Sequence, residues 1–267
     1  MRTNRLKRDL VARKPTFGSW VSLSDLWSTR VLARVGFDWL TVDLEHAPIG
    51  WGEAAAAFAS IADNGCIPLA RVPAGNHDHI KRALDSGAWG IVVPMVDTAT
   101  EARAVVAAAK YPPVGIRSTG GGLHAMSFGT TAADYYTYAN EEVVVVVQIE
   151  SPRGIANLPE ICAVPGVDAV FVGPSDLRSF MRTADRHPTN EEFEAAIEQV
   201  ERTATDAGVA TGIYTFDAQI AARRADQGIT MIGVSSDILL MSRAADEAVA
   251  QLRAARPDWQ PSDDRPA

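Results

Sequence analysis

Lysine is scarce in this chain of 267 residues: four occur, at positions 7, 14, 81 and 110. Cysteine is scarcer, with only Cys66 and Cys162, at no metal-type spacing. Both read as small buried hydrophobes rather than a disulfide or part of a zinc site. No apolar run approaches the roughly 18 residues that a membrane-crossing helix needs, so no spanning segment is expected. The opening "MRTNRLKRDLVARK" lacks the apolar core of a secretion signal, and the expected location is the cytoplasm. Positive charge is in deficit too: 25 Lys and Arg face 33 Asp and Glu, a net charge of −8. Such a field repels phosphate, which argues against nucleic acid or an anionic membrane as partner. A small acidic substrate would need a cation placed locally.

Apolar residues are plentiful, at 47%, and can fill a large core. Apolar, β-branched runs of strand length occur at 17–22, 39–45, 67–73, 90–96, 143–149, 169–174, 210–216 and 231–235. Ala-rich amphipathic stretches of helical length lie at 24–35, 51–64, 77–87, 97–109, 153–163, 191–207, 217–227 and 237–254. The strands are almost continuously apolar, as befits a parallel sheet buried on both faces. Eight such βα units predict an α/β fold, a closed (β/α)8 TIM barrel forming a single domain over 1–255. Gly just past a helix end in "ADNGCIP" and "TDAGVAT" supports this register. The stretch 111–142 is too long for an ordinary connection and predicts an excursion with a functional or interface role. Residues 256–267, Pro-rich and charged, read as a loosely ordered tail.

In such a barrel the chemistry gathers at the carboxyl ends of the strands. The residues there are Asp43, Glu45 and His46 in "LTVDLEHAP", Arg71, Gln148 and Glu150, then Ser175 and Asp176 in "GPSD". Asp85 closes the helix before the fourth strand. Glu150 and Asp176 lie one βα unit apart, which puts two carboxylates on neighbouring strand ends. Two hard oxygen ligands suit an octahedral divalent ion. They equally suit salt bridges to arginines or helix capping, and spacing alone leaves the choice open.

The "GPSD" turn presents consecutive N–H groups at a helix start, either an ordinary cap or a cradle for a carboxylate. His46 reads as a satisfied structural histidine or as a general base that Asp85 would orient if the fold brings them together. Alternation turns Arg71 inward, where it needs an anion, either Glu45 or a substrate oxyanion. Among His77, His79, His124 and His187 most read as solvated, with His124 in the long excursion singled out.

Taken in order, "FGSW", "DLEHAP", "PLARVP", "ALDSGAWGIVVPMV", "YPPVGIRS", "VQIES" and "GVDAVFVGPSDL" resemble the HpcH/HpaI family of class II, metal-dependent pyruvate aldolases, of the 4-hydroxy-2-oxoheptane-1,7-dioate aldolase type. The likeness runs from about residue 5 to 255. It implies Glu150 and Asp176 as ligands of magnesium, manganese or cobalt, an ion that chelates pyruvate or another 2-oxo acid. It implies Arg71 on the keto oxygen, His46 with Asp85 as the catalytic base pair, Gln148 in the pocket, and Gly173, Ser175 and Asp176 as the carboxylate cradle. It further implies an aldehyde co-substrate, and a hexamer built as a trimer of dimers with the C-terminal helix exchanged between subunits.

The chemistry is self-consistent. A divalent ion and Arg71 stabilise a pyruvate enolate without a Schiff-base lysine, and no lysine falls at a predicted strand end. After "GPSDL" the chain departs from the family pattern in "RSFMRTADRHP", with Arg178 and Arg182 where small residues are expected. They either read a second substrate carboxylate or cover the surface. Two rivals stand beside the aldolase: an oxaloacetate decarboxylase or macrophomate-synthase-like enzyme on the same site, and a non-catalytic 2-oxo-acid-binding barrel.

Overall fold

The strands are β1 (Thr16–Val21), β2 (Trp39–Asp43), β3 (Ile67–Arg71), β4 (Gly90–Val93), β5 (Val144–Ile149), β6 (Ala169–Val172), β7 (Ala210–Thr215) and β8 (Met231–Ser236). In the computed structural model, which describes residues 1–259, each pairs in parallel with the next and β8 returns to β1, closing the barrel. The tail expected to be loose lies mostly in 260–267, outside the described residues. The expected (β/α)8 barrel is the observed fold.

The helices begin where the sequence offers caps. Asp25, Asn76, Thr98, Thr131, Thr189 and Asp217 each accept an N–H from the first turn. Thr98 and Thr189 complete capping boxes with Glu101 and Glu192. Their apolar faces pack on β strands that are themselves buried throughout, as in β5, "VVVVQI".

Aromatic rings fill the barrel interior. Trp20 meets Trp39 edge-on at 5.6 Å and Phe171 at 5.4 Å. Glycine makes the room: a Cβ on Gly18 would lie 2.1 Å from the Trp39 ring, and one on Gly212 2.3 Å from Phe171. Both glycines are therefore packing requirements.

Several elements differ from expectation. The helix expected at 153–163 is broken into Pro152–Ala156 and Leu158–Cys162, because Pro159 has no N–H to continue the ladder. An unforeseen helix, Arg5–Val11, buries Leu6 and Leu10 across the amino end of the barrel. It is too short to carry a clear periodic signal. Tertiary bonds hold it: Asn4 and Arg8 both bond Glu142, and Lys7 pairs with Asp168 at 2.9 Å.

The long excursion carries two helices, Leu123–Ser127 and Ala132–Glu142. His124, the histidine singled out in the excursion, is fully buried, its ring 4.4 Å from that of Tyr135. Beside it Arg117, also buried, donates to Asp85 at 2.7 Å and to the Tyr135 hydroxyl at 3.1 Å. Cys66 and Cys162 are buried free thiols, as expected.

Candidate active site

β2 and β3 run in register with Asp43 opposite Arg71, so the two side chains leave neighbouring strand ends on the same face. Arg71 Nε–H donates to Asp43 Oδ1 at 2.9 Å and Nη2–H to Oδ2 at 2.6 Å, a bidentate clamp. The same Oδ1 accepts the backbone N–H groups of Glu45 and His46, which shapes the turn after β2. Glu45 adds a second acid 3.4 Å from Arg71 Nε. Burial raises the Glu45 carboxyl above its ordinary value, against the pull of Arg71 and His46. The anion that Arg71 needed is therefore chiefly Asp43. The alternation that turned Arg71 inward could have identified it.

Facing this pair, Gln148 and Glu150 close β5, each 2% exposed. Glu150 Oε1 accepts the Met95 N–H at 2.8 Å, from a residue in the left-handed region at φ +55°. Its Oε2 accepts from Gln148 Nε2 at 3.1 Å. Burial is the largest cause that pushes the Glu150 carboxyl up to about 7; Asp176 and Glu45 add to it, while the Met95 N–H and Arg71 oppose it. Gly173 ends β6 and touches this carboxylate so closely that a Cβ there would sit 2.2 Å from Oε2. The Pro174–Phe180 helix then carries Ser175 and Asp176 over the opening.

Together these residues line a cavity of about 260 Å³ at the carboxyl end of the barrel. The structure brings His46, Arg71, Gln148, Glu150, Gly173, Ser175 and Asp176 to it. It does not bring Asp85: no hydrogen bond or ion pair joins Asp85 to His46 among the described residues, and Asp85 is held by Arg117 instead. The carboxylate beside His46 is Glu45, 3.6 Å from Nε2. Arg178 turns outward, its guanidinium 4.2 Å above the Phe193 ring, and neither it nor Arg182 lines the cavity. Trp20, Ser22, Tyr214, Phe216 and Ser236 complete the wall and were not singled out from the sequence. They sit at the ends of β1, β7 and β8, where apolar and hydroxyl side chains give no pattern that separates lining from core.

The donor set suits a divalent cation. Besides the clamped Asp43, the Glu150 and Asp176 carboxylates face the cavity, and burial and its neighbour disfavour the Glu150 anion, which a cation would relieve. The buried Gln148 Oε1 also lacks a partner. No cluster of three or more His, Cys, Asp or Glu ligands occurs among the described residues. An ion here would take two protein carboxylates and complete its shell with solvent or substrate oxygen, as magnesium commonly does.

A closed parallel barrel with an acid-rich cavity and a clamped arginine at its carboxyl end has the layout of a (β/α)8-barrel enzyme. The chain belongs to the HpcH/HpaI aldolase/citrate lyase family, whose sequence profile matches residues 16–244. It is 39% identical to a hydroxypyruvate/pyruvate aldolase of Cupriavidus necator, over 99% of this chain and 97% of that one. It is equally 39% identical to a 4-hydroxy-2-oxo-heptane-1,7-dioate aldolase of Escherichia coli, over 94% and 95% of the two chains. A crystal structure of an HpcH/HpaI aldolase/citrate lyase family protein from Burkholderia cenocepacia superposes with a TM-score of 0.86 at 36% identity, covering 94% of this chain and all of that one.

Proposed function

We propose that this aldolase is divalent-metal-dependent and cleaves or forms 4-hydroxy-2-oxo acids, exchanging them with pyruvate and an aldehyde. The observation that carries the reading is the meeting in one cavity of Arg71, clamped by Asp43, with the Glu150 and Asp176 carboxylates. Magnesium, manganese or cobalt held by Glu150 and Asp176 would act as a Lewis acid toward the 2-oxo acid. Arg71 Nη1 makes no hydrogen bond to a described residue, so it has a donor to offer the keto oxygen as that oxygen gains charge. The N–H groups around Gly173 to Asp176 and the Gln148 amide hold the substrate carboxylate and align the chain.

In cleavage, the C4 hydroxyl loses its proton to His46 and the C3–C4 bond breaks. The bonding pair passes to C3 of the pyruvate enolate, and the C4 oxygen becomes the aldehyde. The enolate then takes a proton at C3 to give pyruvate. His46 stands at the solvent rim, 62% exposed, where it can exchange that proton with water, and Glu45 is placed to steady its imidazolium. No lysine lines the cavity, so imine chemistry has no nucleophile here.

No described helix is long and apolar enough to cross a membrane. Association into a homo-oligomer is supported by exposed apolar side chains such as Trp27 and Val31 on one helix and Met241 on the last. The deciding experiment strips the protein of metal, restores magnesium, manganese or cobalt, and follows pyruvate release from 4-hydroxy-2-oxo acids. Cleavage restored by metal in the wild type and absent in Glu150→Gln is the expected result. Carbon dioxide release from oxaloacetate faster than any aldol cleavage would move the assignment to a decarboxylase.

A further inference from the structure

The two relatives' names point to different substrates, and one difference is charge: a 1,7-dioate carries a second carboxylate at the far end of its aldehyde half. Reading such a group inside a cavity takes an available cation, because a desolvated carboxylate without a partner is costly. The cavity lining holds three carboxylates, Asp43, Glu150 and Asp176, against the guanidinium of Arg71 and the imidazole of His46, which the cleavage step commits to the C4 hydroxyl proton. That guanidinium is already clamped by Asp43 and flanked by Glu45. A divalent ion and Arg71 together are outweighed by these three carboxylates and that of the 2-oxo acid, so the loaded site retains an excess of negative charge.

The wall opposite offers no compensation. Across the barrel from Arg71 and Glu150 stand Tyr214 on β7 and Trp20 on β1, with Phe216, Ser22 and Ser236 above them. Trp20 and Tyr214 brace each other edge-on at 5.4 Å, and Tyr214 meets Phe216 at 5.3 Å. These are ring edges and hydroxyls, without a cation. Arg178 and Arg182 lie outside the lining, the former packed on Phe193 and bonded to Asn190. Arg243, on the final helix, donates to the Phe216 carbonyl and does not line the cavity.

From this wall, and resting on the aldolase reading above, we infer that the acceptor half of the site takes a short uncharged aldehyde and discriminates against one that ends in a carboxylate. Ring edges accept its carbon chain, and the Ser22 and Ser236 hydroxyls bond any hydroxyl it carries. A terminal carboxylate meets that excess negative charge and finds no cation on this wall.

Two measurements on the metal-loaded protein test this. The first is the binding, by calorimetry, of two acids that cannot be cleaved because they lack the 4-hydroxyl: 2-oxoheptanoate and 2-oxoheptane-1,7-dioate. They match in length and differ only in the terminal carboxylate. Binding about tenfold or more tighter for the monoacid is expected, which is one uncompensated interaction of ordinary size. The second compares kcat/KM for addition of pyruvate to butanal, glycolaldehyde and succinate semialdehyde, with the uncharged pair favoured by a similar factor.

Ser22→Lys, which sets a cation at the rim, should narrow both ratios several-fold, and Arg243→Met should leave them unchanged. Equal or tighter binding of the dioate overturns the inference. So does a selective loss of succinate semialdehyde turnover in Arg243→Met. Absence of turnover with all three aldehydes, despite monoacid-selective binding, instead refutes the aldolase reading while leaving the charge discrimination intact.

Discussion

Asp43 holds Arg71 by two hydrogen bonds of 2.9 and 2.6 Å across the β2–β3 register, while the same carboxylate oxygen gathers the backbone N–H groups of Glu45 and His46. One buried acid thereby sets both the Arg71 guanidinium and the turn that carries His46. Asp43→Asn keeps the shape but loses the charge and the fork. A fall in kcat/KM of about 100-fold or more is expected, with a stability loss of roughly 3 kcal/mol as the Arg71 charge is left short of a partner. Steady-state kinetics and urea denaturation measure the two separately. Activity within a factor of a few of wild type would remove Asp43 from the site's design.

Gly173 owes its identity to Glu150. A Cβ there would meet Oε2 at 2.2 Å and Gln148 Nε2 at 3.2 Å. Gly173→Ala must displace the carboxylate, so activity should fall at least about 100-fold, and magnesium should lose most of its stabilising effect on thermal unfolding. Because φ is negative at this position, −91°, Ala is tolerated by the backbone and the far-ultraviolet circular dichroism should be unchanged.

Arg117 ties the long excursion to the barrel through Asp85, the Tyr135 hydroxyl and the Tyr111 ring, 4.6 Å beneath the guanidinium. Arg117→Met leaves the Asp85 carboxylate short of its partner. A loss of about 3 kcal/mol follows from breaking a buried pair. At 2–4 °C per kcal/mol for a chain of this size, the melting temperature should drop by roughly 6–12 °C in calorimetry.

Lys110 provides the pH test. Burial, and then the neighbouring Lys7, push its ammonium down to about 7, although it donates to the carbonyls of Asn140 and Val143 at 2.8 Å each. Between about pH 7 and the ordinary lysine value near 10.4, the folded chain therefore binds fewer protons than the unfolded one. Stability attributable to this group rises with pH across that window, and its full cost is felt below pH 7. Urea midpoints at pH 6.5 and 9 should show wild type gaining on Lys110→Met as pH rises. A parallel response in the two proteins would show that the amine is not destabilised.

The barrel was legible because a strand buried on both faces must be apolar along its length, and a covering helix must be apolar on one stripe. β5 and the Thr98-capped helix before the excursion satisfy both rules. Most of the candidate site was legible for a related reason: a charged or amide side chain such as Glu150 or Gln148 at the end of an apolar strand has to be accounted for, and the barrel's carboxyl face is where it goes. Trp20 and Tyr214 carried no such mark, since an aromatic residue on a barrel strand is equally at home in the core. Asp85 was a site residue by resemblance rather than by spacing, and within this chain its partner is Arg117 and not His46. His124 was singled out in the excursion, but its burial against Tyr135 and Tyr136 is a tertiary contact that a lone histidine in a Gly-rich stretch does not announce.

By itself the sequence determined the (β/α)8 architecture, the face that holds the candidate site and the acids, arginine and histidine displayed there, because hydrophobic periodicity and strand polarity are local properties of the chain. Only the tertiary structure decided which of those groups touch. That Asp43 rather than Glu45 is the chief clamp on Arg71, that Glu150 is forced against Gly173, and that Arg178 faces Phe193 instead of the cavity all depend on strand register and barrel closure. Such contacts join residues tens of positions apart, and at that range spacing along the chain carries no information about distance in space.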